Sequence, residues 1–279
     1  RTIKQHKTVT SVDTASEALV VSIGERAKVD LPFISQLTGK NESELIQELH
    51  GVIYKDPIKG EWQTADEYLS GNVRRKLRQA QKAASEDSAY KINVEALNAA
   101  QPKDLDASEI EVRLGATWID KSYIQQFMCE TLNTPVYLRN TITVNYSAFT
   151  AEWCVTNKNS VPSNDVTAYT TYGTDRANAY KILEDSLNLR DVRIYDTIED
   201  ADGKEKRVLN PKQTTLAQQK QQALKDAFKD WIFKDPKRRQ TLVHHYNETM
   251  NNTRPREYDG SHIVFSGINP EIKLQPHQV

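Results

Sequence analysis

The apolar positions change period several times along the chain, and each change marks an element. The clearest stretch runs from Glu109 to Leu132. Ile110, Val112 and Leu114 alternate with Glu109, Glu111 and Arg113, the period of a half-buried strand. Gly115 then permits a turn. Asp120 is placed to cap a helix, with Ile119 and Ile124 spaced as a hydrophobic staple. Tyr123, Ile124, Phe127, Met128 and Leu132 follow on one apolar face. This strand, turn and helix belong in the middle of a core, and no chemistry follows from them alone.

The N-terminal part has a different rhythm. Thr14 to Ile23 reads as a short helix with Ala18, Leu19 and Ser22 near one face. Pro32 opens a second, Phe33 to Leu37, which Gly39 ends. Asn41 and Glu44 form a capping box for a third, with Leu45, Ile46 and Leu49 inward. Gly51 to Tyr54, a turn over 56–60 and Glu61 to Thr64 make a hairpin. Three short helices and a hairpin are the order of a winged helix. Residues 65–84 are a longer helical stretch carrying Tyr68, Leu69, Val73 and Leu77, with Gly71 as a candidate break. Residues 85–108 are a further helix aligned on Tyr90, Val94 and Leu97, with a hinge at Gln101-Pro102.

Beyond the central stretch, 141–146 and 152–156 make an antiparallel hairpin, and 166–171 is a candidate strand. Gly173 turns the chain into a helix capped by Thr174, with Ala179, Tyr180, Leu183 and Leu187 inward. Val192, Ile194 and Thr197 alternate, Asp202-Gly203 turns, and Arg207 to Leu209 returns. A long helix is predicted from Pro211 to Phe233 with a stripe of Leu216, Ala223, Leu224, Ala227, Phe228, Trp231 and Ile232. Pro236 interrupts it before a helix with Leu242, Val243, Tyr246 and Met250. The expected fold class is α+β and helix-rich. A winged-helix-like N-terminal module precedes mostly antiparallel strands with packed helices and a helical C-terminal part. The expected domains are 1–84, 85–209 and 210–279.

Composition narrows this little. The 279 residues are 38% hydrophobic and 27% charged, with 37 basic and 38 acidic side chains. A net charge of −1 gives no global attraction to nucleic acid, so any such surface must be local. No apolar run is long enough to span a membrane. The two cysteines, Cys129 and Cys154, fit no metal spacing and no disulfide framework. Cys129 is expected to be buried, and the cytoplasm is the natural compartment. The chain begins at Arg1 without an initiator Met and stops at Val279 without a polar tail, as if cut from something longer.

Positive charge concentrates in places. Arg74, Arg75, Lys76, Arg78 and Lys82 fall within eleven residues that contain no acid. They can sit on a phosphate backbone or form a solvated helix face. Lys55 and Lys59 lie on the expected wing, and Lys237, Arg238, Arg239, Arg254 and Arg256 form a second zone. The third helix argues against groove reading, because Glu42, Glu44 and Glu48 would repel phosphate. A small packing or protein-contact module is the preferred reading of the three short helices and hairpin. The segment from Arg254 to His262 offers either phosphate-binding arginines or a loop tied by Arg256, Glu257 and Asp259. His244-His245 diverge by about 100° on a helix, which suits no metal pair. One is expected exposed and one half-buried. There is no phosphate-cradling glycine loop, no Asp-Glu pair after an apolar strand and no methylase tetrapeptide. No catalytic or metal residue is assigned.

LGATWIDKSYIQQF (114–127), VDLPFISQLTGK (29–40), DEYLSGNVRRKL (66–77), NVEALNAAQPKDL (93–105), TYGTDRANAYKILEDSLNLRDVRIYD (171–196) and RPREYDGSH (254–262) occur in one order. In these strings the chain resembles the large phage and mobile-element proteins that join an adenine-specific DNA methyltransferase to a superfamily II, SWI/SNF-like helicase. The resemblance covers the connecting region and none of the catalytic motifs. It implies flanking methyltransferase and helicase domains as partners. It implies ATP with Mg and S-adenosylmethionine as cofactors of the whole protein, with none held by this region. It also implies an adenine-recognising role for Gln278 once a motor follows. Two functions are expected: a non-catalytic DNA-guiding region that contacts the backbone through its basic helices, or a bridge that docks methyltransferase to motor without touching DNA.

Overall fold

The computed structural model describes residues 9–199 and 205–257. The protein is α+β, with small antiparallel two-stranded sheets among its helices. It divides into two compact units, Arg1–Asp104 with Met250–Val279, and Leu105–Thr249.

The first unit begins as the sequence predicts. Helix α1 (Ala15–Arg26) is capped by Thr14, α2 (Leu31–Thr38) by Asp30, and α3 (Glu42–Glu48) by the Asn41–Glu44 box. Gly39 ends α2 in the left-handed region at φ 72°, where a side chain would be strained. Strands β1 (Ile53–Lys55) and β2 (Trp62–Thr64) pair antiparallel around a turn that Asp56 holds by accepting from the Ile58 and Lys59 amides. Ala18, Leu19, Leu31, Ile34, Leu37, Leu45, Leu49 and Ile53 pack as one cluster. This is a winged helix with a short wing.

The stretch 65–84 is not one helix. A short α4 (Ala65–Tyr68) stops at Leu69, and Gly71 turns the chain at φ 70°. Strand β3 (Gly71–Asn72) follows, then α5 (Val73–Glu86), capped by Asn72. The helix expected over 85–108 is only α6 (Lys91–Ala99), which puts Asn93 and Leu97 inward. Tyr54, Tyr68, Val73, Ala80 and Leu97 form a second small cluster.

In the second unit, 109–114 carries the expected alternation but is no strand. Ile110, Val112 and Leu114 are buried between exposed neighbours, with no ladder partner among the described residues. The segment opens on a turn in which the Glu109 and Ile110 amides donate to the Asp106 carbonyl, and alternating burial alone cannot separate such an irregular stretch from a paired strand. Gly115 sits at φ 88°, and a Cβ there would overlap the Leu187 carbonyl. Helix α7 (Lys121–Thr131) starts on Asp120, whose side chain accepts from the Ser122 amide. Strands β4 (Val144–Ser147) and β5 (Glu152–Val155) pair as expected. Residues Thr167–Thr171 are a π-helical turn rather than a strand, packed against Gly173, where a Cβ would overlap the Ala168 carbonyl. Asn178, not Thr174, caps α8 (Ala179–Leu187); Thr174 instead closes a tight turn with Ala177.

Strands β6 (Tyr195–Glu199) and β7 (Glu205–Leu209) form a largely exposed ribbon, and its Asp202-Gly203 turn lies outside the described residues. Helix α9 (Pro211–Ile232) buries Thr214, Ala217, Gln221, Leu224, Phe228 and Ile232. The predicted stripe was out of register at its start, for Leu216 and Ala223 face solvent. The buried face includes two polar residues because each is bonded inside. Thr214 Oγ1 accepts from the Ile194 amide, and Gln221 reaches the Val192 amide and the Arg190 carbonyl. Helix α10 (Pro236–Thr249) completes the unit, and His244 and His245 are both exposed on it. Cys129 is half-buried and Cys154 exposed. After Thr249 the chain rejoins the first unit, where β8 (Thr253–Arg254) pairs with β3. No helix among the described residues is long and apolar enough to cross a membrane.

Candidate nucleic-acid interface

Helix α5 carries five of the candidate cations, and its geometry divides them. Arg74 turns inward: its Nε donates to the Asn251 carbonyl at 3.0 Å, and its guanidinium pairs with Asp104. Lys76 turns the other way and caps α4. Its Nζ donates to the carbonyls of Tyr68 at 2.7 Å, Ser70 at 2.9 Å and Glu67 at 3.2 Å, and lies 5.3 Å from the Tyr68 ring. Burial holds this ammonium below the usual lysine range, although Asp56 and Glu67 pull the other way. Both are structural cations that tie helix ends and returning chain together.

Arg75, Arg78 and Lys82 are exposed. Steps of three and four residues put them on one face of α5, with Glu86 at its far end.

The winged helix offers less positive charge. Lys55 and Lys59 are exposed on either side of the wing turn. On α3, Glu44 is taken up by the capping box and Lys40 by Glu48, with Nζ–O distances of 2.6 and 2.7 Å. The face that reads the groove in helix-turn-helix proteins is therefore acidic here.

The second zone is divided in the same way. Arg238 is 8% exposed; it donates to the Ile232 carbonyl at 2.8 Å and the Trp231 carbonyl at 2.6 Å. Its guanidinium lies 3.6 Å over the Trp231 ring, so it locks the end of α9. Lys237 and Arg239 flank it and are exposed. Arg254 pairs with Glu257 at 3.1 Å, and Arg256 with Asp66 at 2.6 Å. Those two pairs tie down the segment after β8, while Asp259, His262 and Gln278 lie outside the described residues. No group of three or more His, Cys, Asp or Glu among the described residues could hold a metal.

Sequence reasoning found the basic helix but could not divide it. Gly71 turns the chain between α4 and α5 at φ 70°, and no residue pattern within 72–82 reports which cations then turn inward. Comparison with known families gives two matches. A model described as "Domain of unknown function (DUF8437)" matches residues 113–252, half of the chain. A model described as "Probable helicase, winged helix domain" matches residues 11–63. No curated protein and no solved structure matches the chain.

Proposed function

The chain belongs to the family described as "Domain of unknown function (DUF8437)" and opens with a helicase-type winged helix, and on that premise we propose that it is a non-catalytic, helicase-associated DNA-guiding region. One observation carries this reading: Arg75, Arg78 and Lys82 share an exposed face of α5. Lys55 and Lys59 on the wing act with them as backbone contacts, since such contacts fix position without reading sequence. The parent we infer joins a DNA methyltransferase to a superfamily II motor of phage or mobile-element type. In that setting ATP, Mg and S-adenosylmethionine belong to the flanking domains.

A second reading has its own support. The acidic, internally paired α3 is unsuited to a groove and suits a protein surface. On this reading the winged helix docks a neighbouring domain and no DNA is touched.

A salt-dependent titration with duplex, single-stranded and forked DNA separates the two. Replacing Arg75, Arg78 and Lys82 together by Glu should weaken duplex binding at least tenfold. It should also lower the slope of log K against log salt by about 2–3, at about 0.9 per phosphate contact. Unchanged affinity and slope would leave only the docking reading. Arg74 is unsuitable for this test, because its loss disturbs Asp104 and Asn251.

A further inference from the structure

We propose that the loop end of the β4–β5 hairpin is an association surface for a second copy of this chain, with Phe149 of each copy entering a cleft beside the hairpin of the other. Phe149 is 99% exposed, the most exposed large apolar side chain among the described residues. It stands on the loop 148–151 that joins the two strands. The hairpin beneath it is pinned on both outer edges. Gln125 Oε1 accepts from the Val144 amide at 2.7 Å, Asn188 is bonded both ways to the Trp153 backbone, and Glu184 Oε2 accepts from the Val155 amide at 2.8 Å. The loop itself is closed by the Thr150 amide, which donates to Ser147 Oγ, and by Ala151 in the left-handed region at φ 54°. A phenylalanine held out on such a base adds no burial to its own fold and loses little freedom when it is covered.

Leu189 stands at the same end of the hairpin. It follows Asn188, which holds Trp153, and precedes Arg190, whose guanidinium pairs with Glu152 at 2.5 Å. It is 63% exposed and sits at φ 57°, an unfavourable conformation for leucine. Such an outlier at an exposed apolar side chain points to a role at the surface. Beside the tip is a cleft of about 330 Å³, lined by Tyr146, Thr150, Trp153, Cys154 and Asn188 among others. Its four charged side chains close on one another as Glu152–Arg190 and Lys158–Glu184, so the cleft carries no net charge.

Charge identifies the occupant. Residues 140–151 contain no charged side chain, where the chain's average of 27% places about three. Charge depletion around an exposed aromatic is the composition of an interface core. The two cations of the cleft are already paired with its acids, which leaves neither for a phosphate. A surface meets its own copy without repulsion when it is neutral, and this one is neutral while offering both a plug and a receptacle. Two copies related by a two-fold axis exchange them, the self-complementarity that an isologous contact requires. A hairpin end is small beside a standard interface, so the association is weak.

The test is sedimentation velocity of the whole chain from about 1 µM to about 1 mM, the range of weak interfaces. The chain should pass from monomer to dimer across that range, and added salt should not weaken the dimer, because no exposed charge pair holds it. Phe149→Ser should raise the dissociation constant by about tenfold or more. Leu189→Asn, which places a residue tolerant of the left-handed region there, should also raise it, and urea titration should find neither variant less stable than the parent. Cys154 gives a second readout, since it lines the cleft and is exposed. Its alkylation by excess maleimide should slow as the parent is concentrated and stay fast in Phe149→Ser, with the half-buried Cys129 as internal reference. A parent that is monomeric throughout, or a dimer that Phe149→Ser leaves unchanged, overturns the proposal. So does a loss of DNA binding in Phe149→Ser with association unchanged, which assigns the tip to nucleic acid.

Discussion

The winged helix and the second unit hold themselves together in opposite ways. In the winged helix most fixing bonds are local: Thr14, Asp30 and Asn41 each cap the helix that follows, and Asp56 closes its own turn. In the second unit the fixing bonds join residues far apart in sequence. Gln125 Oε1 accepts from the Val144 amide, Glu184 Oε2 from the Val155 amide, and Asn188 both accepts from and donates to Trp153. Asn247 does the same for the backbone of Leu105. These side chains satisfy strand edges and extended segments that have no ladder partner among the described residues. A unit built on local bonds should lose stability by small increments, and one built on shared bonds in larger steps.

The sharpest test lies at Gly115 and Phe228. Gly115→Ala combines a positive φ with overlap on the Leu187 carbonyl, and we expect a loss of about 3 kcal/mol or more. Phe228→Ala empties the centre of the Phe127–Phe228–Trp231 cluster and should cost about 3–5 kcal/mol. Hydrogen exchange read by peptide is the measurement. Protection should collapse over 105–249 and persist over 15–64. Equal loss in both would show that the units do not unfold separately.

Alkaline pH gives the next effect. Burial raises the Tyr180 hydroxyl to about 12, with a 2.9 Å hydrogen bond to Thr134 working the other way. The neutral form is favoured in the folded state, so this stability is complete below pH 10 and lost as pH rises from 10 towards 12. The loss amounts to about 2–3 kcal/mol. Tyr180→Phe should flatten that part of the stability curve while lowering stability at pH 7. A variant as alkali-sensitive as the parent would assign the effect elsewhere.

The same contrast explains what the sequence discloses. Caps, the Asn41–Glu44 box, Gly39 and the wing turn are signals within a few residues, so the winged helix could be read from them. The α+β class followed from the changing periods. Thr174 looked like a cap because it follows a glycine, but its hydroxyl accepts from the Ala177 amide and the helix waits for Asn178. The strand expected at 166–171 failed because β-branched composition cannot report a π-turn pressed against Gly173. The register of α9 went wrong because Thr214 and Gln221 look like surface residues until Val192 and Ile194 supply their partners.

Within the first unit, Asn41→Ala removes the side-chain half of one capping box. We expect a cost of about 1 kcal/mol, seen as earlier exchange confined to α3 and its neighbours. A loss of more than about 2 kcal/mol would mean that α3 supports more than its own turn.

The smallest effect is the one that most sharpens the comparison. Arg75 and Lys82 are exposed on α5, and replacing either by Ala should change stability by no more than about 0.5 kcal/mol. Arg74, their neighbour on the same helix, is held by Asp104 and the Asn251 carbonyl, and Arg74→Ala should cost about 1–3 kcal/mol because both bonds are lost. Urea titration of the three single variants measures the difference. A clear gap shows that cations of one run have separate tasks, Arg74 holding the fold while Arg75 and Lys82 face outward. Equal effects at all three positions would place Arg75 and Lys82 in the fold as well, and would remove the reason for treating that face as a surface kept for a ligand.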